Sequence, residues 1–350
     1  MAKKDEHFAA ESVARLKREM TTGEYSGFYL FYGEEVYLRD HYLSVLRKKL
    51  TDGPMEEFNY RRLTTENCTI EAIQDAVESM PVMAERTMVQ VDDFDLFPKK
   101  EEERDELIAL LSDLPDYCVL VFVYDTLPYQ RNGKMKKLCA AIDRYGCEVE
   151  FARQSGRELY DWIARHFRQQ GKTITPDLCQ YLAFVTGGDM TTLEGEIGKI
   201  AAYSHADAIV KEDVDAVTEP VLNAVLFDVT DALAAGDNAE ALGKLRQILQ
   251  MQEEPIAVLA AMGSHFRRVL AARVVQSSGG SVADLLRIVG SNSEYYGQKL
   301  LKQARRWDDA VCRQAVELCY QADWDLKRSM ADGPEILELL ILRLAQEAAR

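Results

Sequence analysis

Short apolar runs alternate with helical spacings over the first 150 residues. Gly27-Phe28-Tyr29-Leu30-Phe31-Tyr32 is a continuous apolar run that stops at Gly33, the pattern of a parallel strand buried on both faces. Over 34–50, Leu38, Tyr42, Val45, Leu46 and Leu50 keep helical spacing, so a helix is predicted next. Phe58-Asn59-Tyr60-Arg61 alternates like a strand, and Thr69 is placed to cap a helix with Ile70, Ile73, Val77 and Met80 on one side. The same alternation continues with a strand at 87–91, a helix at 101–111, a strongly apolar strand at 117–124, a helix at 132–144 and a strand at 147–151. Strands separated by helices predict an α/β domain, a parallel sheet covered on both faces.

After Gln154 the strand signal ends. Segments 155–170, 176–185, 190–203 and 211–217 read as a small helical bundle, with Ser155 at the first N-cap and Gly171 just past that helix. A second helical region starts near Asn223 and contains a long run at 255–276, broken by Ser277-Ser278-Gly279-Gly280. Its last helix opens on Asp332-Gly333-Pro334-Glu335, an N-cap with an early proline and a glutamate three residues on. Apolar residues then occur all round that helix (Ile336, Leu337, Leu339, Leu340, Ile341, Leu342, Leu344), which predicts burial among neighbours. The expected division is 1–153, 154–220 and 221–350.

Composition narrows the function classes. Of the 350 residues 47% are hydrophobic, enough for sizeable cores. No apolar run approaches the roughly 20 residues that span a bilayer, and Lys3-Lys4 is followed by no apolar segment of a signal peptide. The seven cysteines (Cys68, Cys118, Cys139, Cys147, Cys179, Cys312, Cys319) form no CxxC pair, so free thiols in a reducing cytoplasm are expected. Net charge is −16; residues 1–150 hold 20 basic against 30 acidic side chains and residues 151–350 hold 22 against 28. Both parts are acidic, which disfavours a protein that coats nucleic acid and favours protein partners.

Candidate chemistry is sparse. The first β–α turn of such a sheet is the usual phosphate site, and a working phosphate loop reads GxxxxGK[ST]. Here the turn reads Gly33-Glu34-Glu35-Val36-Tyr37-Leu38-Arg39-Asp40, with one glycine, no lysine, no hydroxyl and two carboxylates where phosphate oxygens would lie. Like charge at that range opposes phosphate, while the glutamates suit the positive end of the following helix. No cofactor is expected. The alternative reading is a nucleotide-dependent ATPase or phosphotransferase with an atypical phosphate site near Gly33. Asp92-Asp93 imitates a Mg²⁺-holding pair but reads better as a solvated exit from the sheet, and the five histidines form no HExxH pair. No GxSxG elbow occurs.

Two stretches look like binding. Met80-Pro81-Val82-Met83, between the second helix and the third strand, is either a lid on the domain's own core or an exposed anchor for a partner. By residue type alone the lid reading leads, because loops next to strands often tuck apolar residues inward. The basic run from Arg131 to Lys137 is either a solvated helix start or a nucleic-acid contact, the former favoured by the acidic whole.

Three stretches together resemble one family, the delta subunit of the bacterial DNA polymerase III clamp loader. Phe28 to Leu38 looks like its degenerate phosphate loop. Pro81-Val82-Met83-Ala84-Glu85-Arg86 followed by Met88-Val89-Gln90-Val91-Asp92-Asp93 is similar to its wedge loop and next strand. Asp325-Leu326-Lys327-Arg328 with Leu337-Glu338-Leu339-Leu340 resembles its C-terminal signature. The resemblance covers essentially the whole chain. It implies a RecA-like (AAA+-like) first domain, a lid-like helical second domain and an all-α collar domain that assembles with other loader subunits. It also implies binding of the ring-shaped sliding clamp through an apolar wedge, here Val82 and Met83 with Met80 and Pro81 beside them; some members carry a larger aromatic where Met83 stands. The chain would act without catalysis, with ATP hydrolysed in neighbouring subunits and primed DNA met only in the assembled complex. The Ser-Arg-Cys motif of an arginine-finger subunit is missing from the sequence. With the resemblance, exposed anchor becomes the better reading of the loop.

Overall fold

The fold is taken from a computed structural model that describes residues 2–98, 100–328 and 332–349, with side chains from residue 7 onward. The chain divides into two compact units, one ending at Arg153 and one starting at Gln154.

The first unit runs α1 (Ala2–Thr22), β1 (Phe28–Tyr32), α2 (Val36–Thr51), α3 (Glu56–Asn59), β2 (Tyr60–Leu63), α4 (Ile70–Val77), β3 (Thr87–Asp92), α5 (Glu101–Ser112), β4 (Cys118–Val123), α6 (Lys136–Tyr145) and β5 (Gly146–Glu150). All five strands are parallel, in the order β2-β3-β4-β1-β5. Side chains alternate across the sheet as the pleat requires. Phe28, Leu30, Val89, Val91, Leu120 and Phe122 pack on one face with Ile73 and Val77 of α4, Leu107 and Leu111 of α5, and Leu138 and Ile142 of α6. Tyr29, Phe31, Met88, Val119, Val121 and Val149 pack on the other with Leu16 and Met20 of α1 and Leu46 and Leu50 of α2.

Two local departures from the sequence pattern occur here. Helix α1 is one: its buried face is Ala9, Ser12, Leu16 and Met20, a narrow stripe with a serine in it, so the periodicity is weak. Ser12 accepts a hydrogen bond from the Glu150 N–H at 3.1 Å and so joins α1 to β5. The other is Phe58-Asn59, which closes the one-turn helix α3, with the strand starting at Tyr60.

The second unit is helical: α7 (Gly156–Gln169), α8 (Pro176–Val185), α9 (Met190–Tyr203), α10 (Lys211–Val217), α11 (Leu222–Ala235), α12 (Asn238–Gln250), α13 (Pro255–Ser277), α14 (Val282–Val289), α15 (Glu294–Ala304), α16 (Asp309–Arg328) and α17 (Gly333–Ala348). Residues of α11 to α17 share one apolar core that includes Phe227, Phe266, Trp307 and Leu340. The break after α13 is real, and Ser281 with Asp284 forms a capping box that starts α14. Ser155 stands at the N-cap of α7 and Asp332 at that of α17, but neither side chain makes a capping hydrogen bond. Helix α17 is also not buried all round. Its buried stripe is Ile336, Leu337, Leu340, Ile341, Leu344 and Ala345, and Leu339 and Leu342 face solvent. The seven cysteines are free thiols, and among the described residues no helix is long and apolar enough to cross a membrane.

Candidate partner-docking site

The turn after β1 folds against its own chain. Gly33 has φ +122°, and a Cβ there would lie 2.4 Å from the Phe151 carbonyl oxygen. Phe151 donates its N–H to the Tyr32 oxygen at 2.7 Å and accepts from the Glu35 N–H at 2.9 Å. The close approach that glycine permits is therefore used on the exit of β5, and the Glu35 amide is already satisfied. Glu34 is exposed; Glu35 is buried and holds the N-cap position of α2 without a side-chain capping bond.

An open cleft of about 430 Å³ lies between α2 and the C-terminal ends of β3 and β4, the end of the sheet where nucleotides bind in many parallel sheets. Its cations are paired. Buried Arg39 donates to the Tyr124 carbonyl at 3.0 Å and to Asp125 at 2.8 Å, Arg62 pairs with Asp92 at 2.6 Å, and Arg47 pairs with Glu56 at 2.9 Å while lying over the Tyr60 ring. Asp93, half-buried at the exit of β3, is more than solvated. At φ +50° its carboxylate accepts from the N–H groups of Asp125, Thr126 and Leu127 at 2.8 to 3.2 Å and from the Thr126 hydroxyl at 2.7 Å. Burial works against the charged form, but the Thr126 hydroxyl and the three amides outweigh it and hold the carboxyl below its ordinary value. The basic run after β4 is also partly structural, since Arg131 pairs with Asp143 at 2.6 Å and Glu148 at 2.9 Å. Among the described residues no cluster of His, Cys, Asp and Glu could hold a metal ion.

The opposite edge of the sheet carries the apolar loop. Met80 is 78% exposed, Val82 41% and Met83 81%, with Pro81 half-buried, so the loop does not close over the core. Its ends are fixed: the Tyr117 hydroxyl donates to the Glu78 carbonyl at 3.0 Å and Arg86 donates to the Asp116 carbonyl at 2.9 Å. Near its tip the Asn59 side chain holds the Val82 main chain. Phe58, beside Asn59 in sequence, is 64% exposed. The sequence pattern gave Phe58 and Asn59 only a strand, and no local signal marks either as belonging with this loop. The loop, held at its ends and near its tip, thus leaves three large apolar side chains in water.

Comparison with known proteins bears on the whole chain. Residues 29–150 match the family described as DNA polymerase III, delta subunit, and residues 223–344 match its C-terminal domain. The chain belongs to the DNA polymerase III delta-subunit family. It is 24% identical over 338 residues to the DNA polymerase III subunit delta of Bacillus subtilis, covering 93% of this chain and 95% of that protein. It is 22% identical to the probable DNA polymerase III subunit delta of Aquifex aeolicus, covering 92% of each. The solved structure of the Bacillus subtilis DNA clamp loader delta protein superposes with a TM-score of 0.59 at 22% identity, covering 95% of this chain and 99% of that one. The fold is accordingly the one this solved structure has, a five-stranded parallel-sheet domain followed by helical regions.

Proposed function

We propose that this delta-family chain is a non-hydrolysing clamp-loader subunit that grips the sliding clamp through Met80, Pro81, Val82 and Met83 and helps open the ring for loading onto primed DNA. The observation that carries the reading is the exposure of Met80, Val82 and Met83 on a loop tied down at both ends and at its tip. Burying one such side chain in a partner's pocket contributes about 1.5–3 kcal/mol. Replacing Val82 and Met83 together with serine should therefore weaken affinity for the sliding clamp of the same organism by tenfold or more, each factor of ten being about 1.4 kcal/mol. Surface plasmon resonance with immobilised clamp measures it, and a loss smaller than about threefold would remove the wedge assignment.

The same reading divides the second unit into a lid-like domain, 154–220, and a collar, 221–350, that joins the other loader subunits in the cytoplasm. Exposed Leu339 and Leu342 on α17 are consistent with a collar face covered in the assembly. ATP would be bound and hydrolysed by neighbouring subunits, whose state would govern access to the wedge.

A further inference from the structure

Met83 lies in the left-handed region at φ +52°, which costs a non-glycine residue on the order of 1 kcal/mol, so its surroundings must over-determine it. The tethers at Glu78 and Arg86 act at the ends of the loop. The tether next to Met83 is Asn59. Its Oδ1 accepts from the Val82 N–H at 2.7 Å, and its Nδ2 donates to the Val82 carbonyl at 2.9 Å and to the Met55 carbonyl at 3.0 Å. One side-chain amide thus takes both main-chain groups of Val82, reproducing a rung of sheet pairing where the loop has no strand beside it. This donor and acceptor pattern admits a single orientation of the amide. Asn59 is 2% exposed and directly precedes β2, so the clasp is mounted on the sheet and is out of reach of a docking partner. Aspartate lacks the donor, alanine lacks both groups, and glutamine is one methylene longer.

We infer that Asn59 is a positioning residue for partner docking: its clasp on Val82 holds the Val82-Met83 tip in the binding conformation before the partner arrives. The inference rests on the reading of this loop as the clamp-binding wedge. Without the clasp the tip samples other conformers, and docking must first reorder it, which lowers apparent affinity by the fraction that remains competent.

The test uses the full chain and the sliding clamp in a double-mutant cycle: wild type, Asn59→Ala, the Val82→Ser/Met83→Ser pair, and all three together. Asn59→Ala is expected to weaken clamp binding roughly tenfold in the wild-type background and by less than about twofold in the serine pair, where the tip that Asn59 positions has lost its apolar side chains. A general loss of stability would act alike in both backgrounds. Asn59→Asp keeps the acceptor for the Val82 N–H and loses the donor, so an intermediate loss is expected, and it serves if the alanine variant folds poorly. Hydrogen exchange at the Val82 amide should accelerate in Asn59→Ala, and less in Asn59→Asp, which keeps its acceptor, while β3 amides stay protected. Binding within twofold of wild type for the folded variants, or an equal loss in the serine background, overturns the inference. If the serine pair itself binds like wild type, the wedge reading fails and the inference falls with it; Val82 exchange then still tells whether the clasp orders the loop.

Discussion

His265 shows how one buried side chain sets a pH response. Its Nε2 lies 2.8 Å from the Gln303 Oε1, and Gln303 in turn donates to the Phe227 carbonyl at 3.0 Å and to Asp231 at 3.1 Å. Because the Gln303 amide nitrogen is occupied as a donor, its oxygen faces the imidazole and Nε2 carries the proton. Burial pushes the imidazole down to about 4; the Gln303 bond opposes this, and Arg268 and Lys299 add to the lowering. An unfolded chain titrates its histidines near 6.5, so it takes up the proton first as pH falls. This contribution to stability is complete above about pH 6.5, declines through the window down to about 4 by at most about 1.4 kcal/mol per pH unit, and is flat below it. Melting temperatures measured from pH 7 to 4.5 should fall less steeply for His265→Gln than for wild type; equal slopes would count against this assignment. Nothing local in the sequence marks this histidine, because its hydrogen-bond partner Gln303 is 38 positions away. Thr69, by contrast, was legible, since an N-cap is local and its hydroxyl does accept from the Ala72 N–H. The hydrogen bonds of Asp93 were not legible, because its partners at 125–127 belong to another strand's exit.

At the scale of elements the turn between β1 and α2 is the most constrained junction described. A methyl group at Gly33 would collide with main-chain atoms of Phe151 that cannot rotate away, and φ +122° is open to glycine but poorly to alanine. Gly33→Ala should therefore destabilise the chain by about 2 kcal/mol or more, read as a drop in melting temperature. A melting temperature unchanged within a degree would mean that the turn relaxes freely. Strands β1 and β4 were legible because parallel strands buried on both faces form continuous apolar runs, whereas β3 carries Gln90 and the edge strand β5 alternates Cys147 and Val149 with Glu148 and Glu150. Helix α1 was not legible, since Ser12 and a narrow stripe dilute its period. In α17 the reverse occurred: Leu339 and Leu342 satisfy an all-round pattern yet remain in water, because sequence cannot say which apolar face lacks a neighbour.

For the whole molecule the sheet separates two edges with different properties. At the C-terminal edge the Glu35 amide and the guanidinium groups of Arg39, Arg47 and Arg62 already have partners in the chain. Calorimetric titration with ATP and Mg²⁺ should accordingly show no binding tighter than about millimolar; a tighter site would revive the nucleotide-enzyme alternative. At the N-terminal edge, loop composition alone left Met80 to Met83 between core lid and anchor. Asn59 and Tyr117, remote in sequence, decide its exposure.

Strand β3 begins beyond this loop and ends at Asp92, next to the Asp93 knot, spanning roughly 20 Å for its six residues. A mechanical load applied at Val82 enters the domain partly through Asn59 into β2 and partly along β3. Both parallel strands are loaded at their N-terminal ends, so the load passes in shear to β4 through the hydrogen bonds from β3. Shear strains many rungs at once, where peeling would break them one at a time. A pull on the exposed tip would therefore load many of these hydrogen bonds together.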